Sequence, residues 1–178
     1  MSQQSQQDGF NALMTQLDTP MSVVTTAAGG ERAGCLIGFQ TQCSIEPGRY
    51  NVWLSKANHT FRVALHADHL AVHFLSSQDR DLAELFGTFS GDDVDKFTRC
   101  QSTAGPSEIP LLTRCPNRLV LRRTSLLDEG GDHVCVVTEP VDVSYDGPFT
   151  PLRLSDVEDL VPGHSVEERP QPPTERDV

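Results

Sequence analysis

The sequence predicts a mostly β fold, β with short inserted helices, closing into a small antiparallel barrel. Three observations carry that expectation. Short β-branched runs follow one another over residues 22–55 too closely for crossover helices to lie between them, so neighbouring strands pair antiparallel. Two longer runs, Arg118 to Leu127 and His133 to Ser144, flank a Glu129-Gly130-Gly131-Asp132 turn that suits a hairpin. Helical spacing occurs only in brief stretches between strands, which argues against a doubly wound sheet.

In chain order, residues 1–9 carry four Gln and no hydrophobic pattern, and are expected to form a disordered N-terminal tail. Phe10, Leu13, Met14 and Leu17 then recur at helical spacing until Thr19-Pro20. Val23-Val24-Thr25-Thr26 is a strand ending at the Gly29-Gly30 turn, and a second strand is expected over 33–41. Ile45-Glu46-Pro47-Gly48 turns the chain into a third strand, Tyr50 to Ser55. Asn58 is placed as the N-cap of a helix reaching about His66, with Phe61, Ala64 and Leu65 inward. Leu70, Val72 and Phe74 alternate as a half-buried strand, and Asp79 is expected to cap a helix carrying Leu82, Leu85 and Phe86. Residues 87–110, rich in Gly, Pro and acids, read as an irregular excursion before the late hairpin. One domain is therefore expected over 10–161. Residues 162–178, with four of the twelve prolines, read as a flexible tail.

The chain has 178 residues, with 14 Lys and Arg against 25 Asp and Glu, a net charge of −11. Nucleic acid and anionic membranes both reward clustered positive charge, so neither is an expected partner. No apolar run approaches the roughly 18 residues that cross a bilayer. The first residues hold neither a basic segment nor an apolar one, so no signal peptide is expected and a cytoplasmic location is. Cys35, Cys43, Cys100, Cys115 and Cys135 are odd in number and form no close pair, which predicts reduced thiols and no metal centre.

Two stretches hold candidate binding chemistry. Ser55-Lys56-Ala57-Asn58-His59-Thr60 spans a strand end and a helix start, where free N–H groups and the helix dipole favour an anion such as phosphate. Ser55, Asn58 and Thr60 add hydrogen-bonding side chains and Lys56 a positive charge. The plain alternative is a capped helix beside an exposed lysine. In the stretch 33–47, Gly34 and Gly38 permit close approach to the backbone, and Gln40, Thr41, Gln42 and Ser44 offer donors and acceptors to a heterocycle. Its plain alternative is a buried strand with a few polar bulge residues.

Taken together, Val23-Val-Thr-Thr26, Ala33-Gly34, Ser44-Ile-Glu-Pro47 and Leu54-Ser-Lys-x-Asn-x-Thr60 resemble, in order and spacing, the flavin reductase-like, FMN-binding split-barrel family. Leu75-Ser76, Asp81 to Phe86, Asp95-Lys96-Phe97 and Gly131-Asp132-His133 continue the resemblance over roughly 17–145. The resemblance implies a split antiparallel Greek-key-like barrel and a homodimer with flavin in a groove at the subunit interface. It implies FMN, with FAD as the alternative, its phosphate against Ser55, Lys56, Asn58 and Thr60. The ring and ribityl chain would run along Leu36, Ile37, Gly38, Gln40, Gln42, Cys43 and Ser44. His133 would lie near the ring and the nicotinamide of NADH or NADPH as the catalytic residue, and Phe97 would form part of that wall. Family reductases pass hydride to flavin and often supply a monooxygenase component. Where many members have Thr-x-Ser-Ser-Phe, this chain has Leu36-Ile37-Gly38-Phe39-Gln40, so contact here falls to the backbone or to Gln40 and Gln42. That difference suits a rival reading, a non-catalytic protein binding flavin, deazaflavin or haem.

Other motifs carry less. His66, His69 and His73 fall on a helix end and a strand, which does not favour a metal set. Asp92-Asp93 and Asp95 lack the glycine and bidentate glutamate of a calcium loop. No Gly-x-Ser-x-Gly elbow supports a hydrolase, and Gly29-Gly30 is no dinucleotide fingerprint.

Overall fold

A computed structural model describes residues 3–163. An N-terminal helix α1 (Gln3–Leu17) leads into β1 (Ser22–Ala28), β2 (Glu31–Ile37), β3 (Gln40–Ser44) and β4 (Arg49–Ser55). Helix α2 (His59–Ala64), β5 (His69–Phe74) and helix α3 (Arg80–Thr88) follow. After a short minor sheet of β6 (Ser102–Ala104) and β7 (Pro110–Leu112), the chain closes with β8 (Arg118–Leu127) and β9 (His133–Ser144). The main sheet has seven strands in the order β2-β1-β5-β8-β9-β4-β3, with every pairing antiparallel. The fold is thus mostly β with short helices, as the sequence predicts.

The barrel character follows from one connection. β2 and β3 stand on opposite edges of the sheet, yet only Gly38 and Phe39 separate them. Three Cα–Cα steps span at most about 11 Å, so the sheet must curl until its two edges nearly meet. At that seam the Trp53 N–H donates to the Phe39 carbonyl at 2.9 Å. The single strand expected over 33–41 is therefore two. Alternation within the stretch is compatible with one strand, and nothing local marks the change of edge.

Both faces of β1 are covered, which explains its unbroken Val-Val-Thr-Thr run. Val24 packs inside the curl with Cys35, Val52, Leu54, Leu70, Val72, Leu121 and Val136, and Ala64 of α2 joins this core. Val23 faces outward into a second core with Leu82, Phe86, Phe97, Leu112 and Leu152. The buried Thr25 and Thr26 hydroxyls donate to the carbonyls of Pro110 and His69, at 2.5 and 2.8 Å. At the β1–β2 turn, Gly29 and Gly30 have φ of 60° and 84°, the left-handed pair that a two-residue hairpin requires.

Three local expectations are revised. α1 begins at Gln3, so residues 3–9 are helical, consistent with the tolerable helix propensity of glutamine. No residue of α1 is buried, and Phe10, Leu13, Met14 and Leu17 lie exposed. Asp79 precedes α3 without capping it, because its carboxylate instead accepts from Ser76 N, Ser76 Oγ and Arg114 Nε. In α2, Ala64 is buried and the half-buried Phe61 packs on the core as expected, joined by Thr60 and Val63, whereas Leu65 is exposed. Residues 164–178, most of the stretch read as a flexible tail, lie outside the described residues. No helix among the described residues is long and apolar enough to cross a membrane.

Candidate functional site

The edge-to-edge connection opens a cavity of about 430 Å³. One wall is the end of β2, with Leu36, Ile37, Gly38 and the exposed Phe39. Trp53 and Ser55 of β4 and the Ala57–His59 start of α2 form a second. The third is the end of α3 with Phe86, Gly87 and Phe89, and the segment 154–163 contributes Leu154, Val157 and Leu160. Aromatic and aliphatic walls with a few polar groups are the usual make-up of a small-molecule site of this volume. Gly38 and Gly87 keep the walls thin. A Cβ on Gly38 would stand 3.2 Å from Met21 Sδ, and one on Gly87 3.0 Å from Leu36 Cδ2.

Among the residues singled out from sequence, Leu36, Ile37, Gly38, Ser55, Asn58 and His133 line this cavity. The His133 ring meets Phe39 edge-on, with centroids 5.0 Å apart, and its Nδ1 lies 2.7 Å from Asp132 Oδ1. The Asn58 amide oxygen accepts the Thr60 N–H at 3.2 Å, which makes it the α2 cap.

Other expected site residues lie outside the lining of this cavity. Lys56 Nζ pairs with Asp128 at 2.8 Å and does not line the cavity. Thr60 is buried beneath α2. Gln40, Gln42, Cys43 and Ser44 lie on β3, which the seam carries to the other sheet edge, and none is in the lining. The Gln40 amide donates to Ser22 Oγ at 2.8 Å and to Pro20 O, and the Gln42 amide donates to Ser44 O at 3.0 Å. Phe97 sits behind the wall, its ring 5.7 Å from that of Phe86.

Lys96 is the site residue that sequence reasoning did not single out. It is 4% exposed and lines the cavity beside Phe86 and Cys35. Its ammonium donates to Gly34 O at 2.9 Å and to Phe86 O at 3.3 Å. Burial lowers its pKa, while Cys35 opposes that fall; the same burial raises the Cys35 thiol. Its one sequence signal was its place inside Asp95-Lys96-Phe97. A lone lysine in an acidic excursion otherwise reads as solvated.

At the mouth, His59 joins three elements. Its Nδ1 lies 2.9 Å from Asp92 and its Nε2 3.1 Å from Glu31, while Arg62 also holds Asp92. Arg62, first, then His59 keep the Asp92 carboxyl acidic, at about 2. His73, one of the three histidines weighed as ligands, is buried in β5; its Nδ1 meets Val23 O and its Nε2 accepts the Leu112 N–H.

The flavin reductase like domain family matches residues 14–156. Solved structures share the fold. A chain assigned as an oxidoreductase from Sinorhizobium meliloti 1021 aligns with TM-score 0.72 and 21% identity over 86% of this chain and 51% of its own, so the present chain spans about half its length. An FMN-binding protein from Thermus thermophilus gives TM-score 0.65 and 23% identity over 71% of this chain and 70% of its own. An NADH:FAD oxidoreductase from Streptomyces globisporus C-1027 gives TM-score 0.64 and 22% identity over 76% and 77%.

Proposed function

The chain belongs to the flavin reductase like domain family, and on that premise we propose that it binds FMN in the 430 Å³ cavity and reduces it with NADH or NADPH. The observation that carries the reading is the cavity itself: aromatic walls, thin glycine-bearing backbone, one buried ammonium and a rim histidine, all within or beside the matched span. These residues suit a flavin. Phe39, Trp53, Phe86 and Phe89 offer flat apolar surface, and the Leu36–Gly38 backbone offers polar groups where the hydroxyls common in the family are absent. Ser55 and Asn58 stand where a phosphate end would lie. Lys96 supplies positive charge at the floor, favourable to a ring that gains negative charge on reduction.

Bound flavin supplies the two-electron chemistry, so the protein needs to position rather than to abstract protons. His133 orients the nicotinamide or polarises the flavin from the rim, held in place by Asp132 and Phe39. FAD is the alternative flavin. The product, reduced flavin, suits supply to a monooxygenase component. We place the working unit as a homodimer, supported by the apolar row Val141, Val143 and Tyr145, which is 48–71% exposed along the end of β9 and just past it, and by the open groove beside Phe39.

The test is steady-state oxidation of NADH and of NADPH with added FMN, on wild type and His133→Ala. Turnover lowered roughly 10-fold to 100-fold in the variant is expected, the scale on which misplaced reactants slow a reaction. Unchanged turnover removes His133 from the mechanism. The absence of hydroxyls over 36–39 favours a second reading, a flavin-binding protein without reductase activity, and no oxidation of either nucleotide would select it.

A further inference from the structure

A second cavity, about 780 Å³, lies on the other side of α3 and has no role in the reading above. Leu82 and Leu85 of α3 and Leu112 form its apolar floor, while Thr98, Gln101 and Thr113 edge it with polar groups. The two cavities share a wall. Leu85 and Phe86 are neighbours on α3 facing one cavity each, and the Arg99 guanidinium, in the second cavity, sits 5.0 Å from the ring centroid of Phe89, which lines the first.

Arg99 is unusual in this acidic chain. Arg32, Arg49, Arg62, Arg80, Arg114 and Arg122 each pair with a carboxylate, and Arg118, Arg123 and Arg153 donate to backbone carbonyls, whereas the exposed Arg99 has, among the described residues, a ring contact and neither kind of acceptor. A guanidinium stacked on an aromatic ring keeps its in-plane N–H groups free for a phosphate. The carboxylate in the lining, Asp81, is held by Arg114 at distances of 2.5 and 2.6 Å. That hydrogen bonding keeps its carboxyl acidic and offsets its charge.

We propose that this second cavity is a subsite for the adenosine diphosphate half of a dinucleotide whose reactive ring lies in the first cavity, with Arg99 on a phosphate and the adenine on the Leu82–Leu85 floor. A 430 Å³ cavity suits one ring system and its short chain, and leaves the adenosine diphosphate of NADH, NADPH or FAD to be housed elsewhere. Phe89, in the lining of the first cavity, is the ring over which the Arg99 guanidinium stands. The inference rests on the proposed function only for which ring occupies the first cavity.

The probe is ADP, titrated calorimetrically up to millimolar concentration into wild type, Arg99→Ala, Arg99→Lys and Gln101→Trp. Arg99 and Gln101 are exposed, so these substitutions leave the fold intact. ADP should bind wild type, weaken roughly tenfold in Arg99→Ala, as expected for losing a charged hydrogen bond, and recover in part in Arg99→Lys. A bulky ring at the edge of the cavity in Gln101→Trp should weaken binding, and FMN affinity should hold in all four proteins. Failure of ADP to bind wild type, or equal binding to every variant, overturns the subsite. A raised KM for NADH or NADPH in Arg99→Ala identifies the nicotinamide nucleotide as occupant, and weakened FAD with unchanged nucleotide KM identifies the flavin; both support the subsite. If no nucleotide is oxidised, the reductase reading fails while the ADP titration still decides this one.

Discussion

His73 shows how one buried side chain ties stability to pH. It is fully buried, and burial lowers its pKa from 6.5 to about 4. The folded state therefore holds it neutral, Nδ1–H directed to Val23 O and Nε2 accepting from Leu112 N. Because the folded pKa lies below the unfolded one, its contribution is fully present above pH 6.5 and is lost as pH falls from there towards 4, by roughly 3 kcal/mol in total. Urea unfolding of wild type and His73→Gln should show a stability difference at pH 7 that shrinks by pH 4.5; a constant difference contradicts the assignment. Lys96→Met keeps the aliphatic stem and removes the ammonium, and should weaken FMN roughly tenfold by fluorescence titration if the charge serves the flavin. Sequence reasoning singled out Lys56 and passed over Lys96, because the contacts that separate them are remote in the chain. Lys56 sat in the better motif, yet its distant ion partner Asp128 comes from the β8–β9 turn, while Lys96 is buried by β2 and α3, which are remote in sequence.

At the scale of elements, the packing of β2 against α3 shapes the cavity floor. A Cβ on Gly34 would lie 2.8 Å from Phe86 Cε1 and 3.1 Å from Val24 O. Phe86 is itself wedged against Phe97, so the ring has little room to retreat. Gly34→Ala should cost about 1–3 kcal/mol, seen as a lower denaturant midpoint with unchanged slope. A midpoint equal to wild type would mean that this packing is loose. Most strands were legible because alternation and β-branching are local: β4, β5, β8 and β9 lie within a residue or so of their expected bounds. The division of 33–41 was not, since the step at Gly38-Phe39 answers to sheet closure rather than to its own residues. The same step leaves the candidate residues on β3 outside the lining of this cavity. Once the chain changes edge, Gln40 and Gln42 no longer share a wall with Leu36 and Ile37.

For the whole molecule, an acidic barrel with an exposed apolar row at the end of β9 is expected to pair rather than remain single. Sedimentation at micromolar concentration should give twice the 19.5 kDa chain mass, and a monomer would remove the homodimer. The ordered set of motifs made the family legible where no single motif did, because a spaced series constrains the fold more tightly than any local pattern. Flavin is proposed to sit in the cavity between β2, α3 and the β4–α2 junction, and an FMN titration of wild type and Ser55→Trp, followed by flavin fluorescence, decides it. Saturable quenching at one FMN per chain that disappears in Ser55→Trp is the predicted result; no quenching in wild type, or equal quenching in both proteins, would contradict it.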